Sequence, residues 1–259
     1  MKKSLLIFLF LAATVSVDAS NLANPAVAFP KARISVGGAY HLGGYTITNK
    51  EIAAIFNRFT ARIEYTPLSF LGIGLNLGAT QIEVDRYITG LDTVAVFHGK
   101  YGFTGGAHLK ISSPLFFNDL FRITSIVQAT MFSSKSRFDA HYRGYDGTGI
   151  IGIQAYIPKF GYITAGPQLY LIHGYNKSYN GKENFYSNIN NLRGWISVDY
   201  IPRINEIKEN KFFISLEFSA SPAINYTKKV PIQEYSISVS IGSITKQLYG
   251  IKSDVDWNP

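Results

Sequence analysis

Histidines and carboxylates occur together at two places in the sequence where they could exchange protons. The two groups are Glu83, Asp85 and His98, and Asp139, His141 and Asp146. A histidine within hydrogen-bond reach of a carboxylate can act as a general base, so hydrolysis is one hypothesis for this chain. The alternative is that these side chains are simply solvated, as most polar loop residues are.

Other kinds of active site are excluded by composition or by missing motifs. The chain has 259 residues and no cysteine, which rules out a disulfide framework, a thiolate zinc site and a catalytic cysteine. It contains no Gly-x-x-x-x-Gly-Lys phosphate loop, no His-Glu-x-x-His and no Gly-x-Ser-x-Gly. We therefore expect no enzyme activity, no cofactor and no metal site.

Ten further charged residues stand at alternating positions opposite apolar neighbours: Arg33, Arg58, Arg62, Glu64, Lys100, Lys110, Arg122, Arg193, Asp199 and Glu217. Seven are basic and three are acidic, which is an excess of four positive charges. If they line one enclosed lumen, they either focus a positive potential that favours anions or pair with one another in a packed network. The choice depends on the elements that hold them.

Those elements show the two-residue period of β-strands. Between positions 71 and 78, Leu71, Ile73, Leu75 and Leu77 alternate with Gly72, Gly74, Asn76 and Gly78. The same alternation recurs in about ten segments from Ala32 to about Tyr249, and many reach the ~9 to 11 residues that cross a membrane as a tilted strand. Polar positions carry Gly, Ser, Thr, Asn and Gln more often than Lys or Glu, which favours a membrane barrel over a soluble barrel or sandwich.

Prolines mark an internal repeat of hairpins. Pro67, Pro114, Pro158 and Pro202 are separated by 47, 44 and 44 residues, and each interval holds two strands and one longer polar loop. Proline cannot donate to a β-ladder, so each marks a turn between strands. The longer loops are predicted at 46–54, 84–94, 133–146, 174–187 and 221–234. Short turns at one end and long loops at the other are typical of transmembrane barrels.

The N-terminus has the pattern of an export signal. Lys2 and Lys3 precede an apolar stretch from Leu5 to Val17, and cleavage is predicted after Ala19. The apolar stretch is shorter than the ~20 residues that a membrane-spanning helix needs. The chain has a formal charge of +8, with hydrophobic content of 46% and charged content of 16%, which excludes a disordered protein.

With these features the chain resembles bacterial outer-membrane β-barrel proteins. The resemblance implies an all-β fold, a closed antiparallel up-and-down transmembrane β-barrel of about ten strands in the outer membrane. The predicted division is a signal peptide at 1–19, an N-terminal periplasmic segment at 20–31, the barrel at 32–249 and a C-terminal tail at 250–259. Many such proteins end on an aromatic residue, whereas this chain continues to Pro259.

Three functions fit this architecture. The first is a structural barrel or a narrow small-solute channel, because a barrel of about ten strands is only slightly wider than those that fill their interior with side chains. The second is a surface binding protein or adhesin that uses its long loops, Gly174 to Asn180 above all. The third is a hydrolase at the outer rim, where the placement of Asp and His is similar to that of the omptin proteases, although no omptin motif is matched.

Partners follow from the predicted location. We expect contact with outer-membrane lipid and lipopolysaccharide, the latter through Lys177, Lys182, Lys228 and Lys229, and with the barrel assembly machinery during biogenesis. The isoelectric point of about 9.4 is high. No basic cluster with interleaved aromatic residues is present, so no nucleic-acid partner is expected.

Overall fold

The computed structural model describes residues 26, 29, 31–47, 52–84, 88–89, 92–93, 97–118, 120–136, 140–178, 181–186, 192–201, 210–221 and 234–245. The predicted signal peptide at 1–19 and the C-terminal tail at 250–259 lie outside these residues. Within the described ranges there is no helix long and apolar enough to cross a membrane.

The described residues form fourteen strands. In order they are β1 Arg33–Ile47, β2 Ile52–Leu68, β3 Leu71–Val84, β4 Ile88–Thr89, β5 Asp92–Thr93, β6 Phe97–His98, β7 Lys100–Ser112, β8 Phe121–Lys135, β9 His141–Ile157, β10 Gly161–Ser178, β11 Gly181–Tyr186, β12 Leu192–Tyr200, β13 Lys211–Ala220 and β14 Tyr235–Ile244. Ten of them are long, and these ten build the wall.

The ten long strands close into one antiparallel barrel. Each pairs with the next long strand in the chain, and β14 returns to pair with β1, where Ile237 lies opposite Leu42 and Ile244 opposite Ser35. The pairing of β9 with β10 completes the ring. Closure pairs the backbone N–H and C=O groups on both sides of each long strand without water, as is required of a sheet in lipid. The predicted ten-strand up-and-down barrel is confirmed.

The two faces of the wall follow the alternation in the sequence. On β3, Leu75 and Leu77 are 55% and 60% exposed, whereas Asn76 between them is 1% exposed. Every one of the ten long strands contributes large apolar side chains to the outer surface. Soluble proteins rarely expose a continuous apolar surface of this size, so this apolar belt is the part of the barrel that contacts lipid.

The two ends of the barrel differ. The proline-containing turns, such as Pro158–Phe160 between β9 and β10, lie at the same end as the start of β1 and the end of β14. We call this the proline-turn end and the opposite one the loop end. In the turn between β9 and β10, Lys159 has a positive φ of 66°, and Gly161, two residues later, has a φ of 137°. Tight turns need such left-handed residues.

Two of the predicted long loops are largely strand. β8 and β9 remain paired as far as Lys135 opposite His141, and β10 and β11 form a hairpin with Lys177 opposite Lys182. The predictions of loops at 133–146 and 174–187 were therefore wrong. Above the lipid the outward residues become polar, so the apolar alternation ends although the backbone pairing continues.

A bulge changes the faces at the start of β7. The register of β7 against β8 shifts between Tyr101 and Thr104, so that Lys100 and Tyr101 are both exposed. Phe97, expected on the apolar outer face, is buried inside the barrel. A bulge places one extra residue on a strand and reverses the alternation beyond it.

Candidate functional site

The barrel interior is the candidate site, because it collects most of the charged residues that the sequence singled out. Eight of the ten are buried there: Arg33, Arg58, Arg62, Glu64, Lys110, Arg193, Asp199 and Glu217. Arg122 is half-buried at the proline-turn end of β8, and Lys100 is on the outer face because of the bulge.

Two acidic residues that the sequence analysis placed in loops are also buried in the interior. Asp146 lies on β9 and Glu234 precedes β14, and both are buried in the interior. Among the described residues the buried charges then number five basic and five acidic. The expected excess of four positive charges is not found among these fully buried residues, because Asp146 and Glu234 were missed, Lys100 turns outward and Arg122 is only half-buried. The alternation of Tyr142, Asp146 and Thr148 on one face was the signal that would have placed Asp146 inside.

One buried cluster joins β2 to β7. The Glu64 carboxylate lies 2.8 Å from Lys110 Nζ through one oxygen and 3.0 Å from His108 Nε2 through the other. Two glycines of β3 leave the space for it. A Cβ at Gly74 would lie 2.1 Å from His108 Cε1, and one at Gly72 would lie 2.8 Å from Glu64 Oε1. A histidine and a carboxylate are thus in contact here, but inside the wall and not at the rim.

A second cluster crosses the lumen from β2 to β9. Arg58 donates to Asp146 over 2.5 Å and to the Thr80 hydroxyl over 3.0 Å, and its guanidinium lies 5.9 Å from the centre of the Phe132 ring. Because β2 and β9 are not neighbours in the sheet, this ion pair passes through the interior. It occupies space that a solute would need.

A third cluster lies on the other side of the interior. Arg193 donates to Glu234, and its guanidinium carbon is 4.6 Å from the centre of the Tyr170 ring. Ser221 Oγ accepts a hydrogen bond from the backbone N–H of Glu234 over 2.9 Å. Nearer the proline-turn end, Asp199 accepts hydrogen bonds from Ser197 and Ser215 on its own and the next strand.

Apolar side chains also pack together in the interior. A cluster near the loop end contains Ala54, Phe56, Ile82, Val84, Phe97, Phe132, Tyr142, Tyr170 and Ile172. Phe56 and Phe132 meet edge to face with ring centres 5.3 Å apart, although they belong to β2 and β8. Sequence reasoning missed this cluster, because inward apolar residues interrupt the simple rule of polar inside and apolar outside.

Two of the described residues before β1 are buried inside the barrel. Phe29 is buried in a cluster with Tyr162, Ile201, Phe213 and Ile244, and Ala26 is buried in another with Ile126, Ile150 and Trp195. Lys110 Nζ lies 4.9 Å from the centre of the Phe29 ring. Residues 20–31 were expected in the periplasm, but the described residues Ala26 and Phe29 lie inside instead, where their apolar surface is removed from water.

Of the two rim groups proposed for hydrolysis, the structure separates His141 from Asp146 and brings Glu83 and His98 together. Asp146 is inside and bound to Arg58, while His141 packs against Tyr175 with ring centres 6.0 Å apart. Glu83 does lie opposite His98 in the β3–β6 pairing, and its carboxylate accepts a hydrogen bond from the Gln81 amide over 3.0 Å. Asp85 and Asp139 lie outside the described residues, as do Lys228 and Lys229. In the part of the chain that the structure describes, no three acidic or histidine side chains converge to hold a metal ion.

Comparison with known proteins finds similarity in the path of the backbone and not in the sequence. No protein-family model matches the sequence, and no curated protein sequence matches it. Among solved structures, the outer membrane protease OmpT from Escherichia coli is 9% identical, with 86% of this chain and 99% of that chain covered at a TM-score of 0.46. The translocator domain of the autotransporter NalP from Neisseria meningitidis is 8% identical, with 95% and 96% covered at 0.44.

A third similar structure is the CymD monoaromatic hydrocarbon channel, which is 8% identical, with 83% of this chain and 89% of that chain covered at a TM-score of 0.28. The fold of the present chain rests on its own strand pairing and belt rather than on these similarities. What the interior can do follows from its contents: the described side chains there form ion pairs and ring contacts, and the Arg58–Asp146 pair joins strands that are not neighbours.

Proposed function

We propose that the protein is an outer-membrane barrel with a closed interior, which acts as a structural barrel and not as an open channel. The observation that carries this proposal is the Arg58–Asp146 ion pair, which crosses the lumen between β2 and β9. Side chains paired in this way are costly to separate, because each buried charge would lose its partner.

Two further observations support a closed interior. Among the described residues that are fully buried, five basic side chains balance five acidic ones, so these residues supply no excess of one sign to select ions. Phe29 and Ala26, which precede β1 and are not part of the wall, also pack in the interior. A narrow channel, the other half of the sequence-based hypothesis, would require all of these groups to move.

The proposed location is the outer membrane, with the proline-turn end in the periplasm and the loop end outside the cell. Short periplasmic turns and longer outer loops are the arrangement found in barrels of this class. The apolar belt supports membrane insertion, and the export signal predicted at 1–19 would bring the chain there.

We also propose that the barrel is not an enzyme. The support comes from the contacts of two carboxylates in the candidate rim groups. Arg58 binds Asp146 inside the barrel, and the Gln81 amide donates a hydrogen bond to Glu83. Glu83 lies opposite the exposed His98, but the two side chains form no ion pair in the part of the chain that the structure describes.

The test is a conductance measurement on the refolded protein in planar bilayers, together with the double variant Arg58→Ser and Arg62→Ser. We expect no current steps from either protein, and a loss of stability of about 3 to 5 kcal/mol in the variant, because it leaves buried carboxylates unpaired. Lys159→Ser, which removes an exposed charge from a turn, is the control and should unfold like the parent chain. Stable, anion-selective current steps from the parent protein would overturn the proposal.

A further inference from the structure

Basic side chains form a continuous row across five neighbouring strands at the loop end. From β7 to β11 the row consists of Lys100, Lys135, His141, Lys177 and Lys182, each directly opposite the next. The four lysines are exposed and His141 is half-buried. Side chains directly opposite each other on paired strands have Cβ atoms only ~5 Å apart.

Lys100 and Lys135, the first two members of this row, form a compact group with Arg143. Arg143 is exposed and follows His141 by two residues, so it lies on the same outward face of β9 and diagonal to Lys135. Diagonal neighbours of this kind are within reach of long side chains. Lys100, Lys135 and Arg143 therefore place three positive charges on adjacent strands β7, β8 and β9; we call them the basic triad.

The basic triad lies just above the apolar belt. Tyr101 and Tyr145 are exposed on β7 and β9, and Lys100 directly precedes Tyr101 in the chain, toward the loop end. Arg143 is two residues beyond Tyr145, a rise of about 5 Å along the membrane normal for a strand tilted by ~40°. The headgroup region extends roughly 5 to 8 Å beyond the hydrocarbon on each side. The triad is thus at headgroup depth.

The triad brings like charges close together. Lys100 lies opposite Lys135, and like charges in directly opposed positions destabilise a sheet. The ion pairs among the described residues are all inside the barrel, and none of them includes a member of the triad. Glu83 on the neighbouring strand β3 is opposite His98 and so diagonal to Lys100, which places one negative charge beside the three positive charges of the triad.

We infer that the basic triad binds the phosphate groups of a glycolipid in the outer leaflet. Lys135 is the central member of the triad, and together the arginine and the two lysines can offer a bidentate guanidinium and two ammonium groups to one phosphate monoester. Directly below the triad, Met131 and Val127 of β8 are 62% and 56% exposed in the belt, where the acyl chains of the same molecule would lie. This continuity selects a phosphorylated lipid over a soluble phosphate.

The inference rests on the proposed function, since the loop end must face outward for the triad to meet the outer leaflet. Its test does not depend on orientation, because binding is measured on the folded full-length mature protein in detergent micelles. Bisphosphorylated lipid A is titrated and the bound fraction is read by native mass spectrometry. Slower migration after boiling on a gel establishes that each variant is folded.

The test variant is Lys100→Gln, Lys135→Gln and Arg143→Gln combined. Its matched control, Lys31→Gln, Lys159→Gln and Lys211→Gln, removes three positive charges near the proline-turn end. Because each basic residue near a charged lipid surface contributes about 1 kcal/mol, the test variant should bind lipid A on the order of 100-fold more weakly, and the control should bind like the parent. Lipid A without its phosphates should bind the parent as weakly as lipid A binds the test variant.

Equal binding by the test variant and the parent would overturn the inference, as would equal loss in the control. A deacylated phosphorylated disaccharide separates the two sources of phosphate. If it binds the parent as tightly as lipid A does, the triad recognises a soluble anion and the lipid assignment is wrong. A folded barrel that conducts ions but binds lipid A through the triad would instead contradict only the proposed function.

Discussion

At the scale of single residues, glycine has a steric role inside this barrel. Gly72 and Gly74 face the interior of β3, where the side chains of Glu64 and His108 lie against their Cα atoms. A strand whose inward positions lack side chains leaves space for long charged residues from its neighbours. The buried ion pairs therefore depend on residues that take no part in them.

Substitution of Gly74 tests this dependence. A Cβ at Gly74 would lie 2.1 Å from a His108 ring atom and 2.8 Å from the Ile63 carbonyl oxygen, and the backbone atom cannot move aside easily. We expect Gly74→Ala to lower the free energy of unfolding by about 1 to 3 kcal/mol, the usual cost of overpacking. Urea titration of protein refolded into vesicles measures it.

Gly38 on β1 offers a control for this substitution. A Cβ there would have no atom within 4 Å, because Gly38 faces outward on β1. Gly38→Ala should therefore leave the unfolding midpoint unchanged or raise it slightly. If both alanine variants lose the same stability, the loss reflects backbone effects and not the space needed by His108.

At the scale of the strand, depth in the membrane sets the cost of a charge. Leu75 lies near the middle of the apolar belt on β3, and Gln81 lies on the same face toward the loop end. The residues differ in their surroundings, lipid hydrocarbon for one and the interfacial region for the other. The strand itself continues through both.

Arginine substitution measures this difference in depth. Leu75→Arg should destabilise the barrel by about 2 to 4 kcal/mol, and Gln81→Arg by about 0 to 1 kcal/mol, because arginine near the interface can reach water and headgroups. Refolding into vesicles at a series of urea concentrations provides both values. Equal penalties at the two positions would mean that the belt is misplaced on β3.

At the scale of the whole molecule, the two rims are expected on opposite sides of the membrane. The chain has no cysteine, so a single introduced cysteine reports on one position alone. Lys182 on β11 and Lys159 in the β9–β10 turn are both exposed and lie at opposite ends of the barrel.

Labelling with a membrane-impermeant maleimide on intact cells tests the orientation. Lys182→Cys should be labelled on intact cells, whereas Lys159→Cys should be labelled only after the outer membrane is permeabilised. The permeabilised sample serves as the control for reactivity of both thiols. The reverse pattern would place the proline-turn end outside and would contradict the proposed orientation.

The sequence by itself determined the barrel, its strand number and most of the outer face. A strand in lipid has apolar residues at every second position on the face that contacts lipid. The alternation from Leu71 to Leu77 therefore identifies this segment as a membrane strand without any other part of the chain. The interior charges of β2, from Arg58 to Glu64, were found by the same rule. Such information is contained within a few residues of each position.

Only the tertiary structure decided which interior groups meet. Arg58 and Asp146 are 88 residues apart, and no local pattern joins them. The bulge that turns Lys100 outward depends on its pairing with β8, and the burial of Phe29 depends on side chains from four distant parts of the chain. Periodicity reports the direction of a side chain, but its partner is set by closure of the sheet, which brings together residues that the sequence separates.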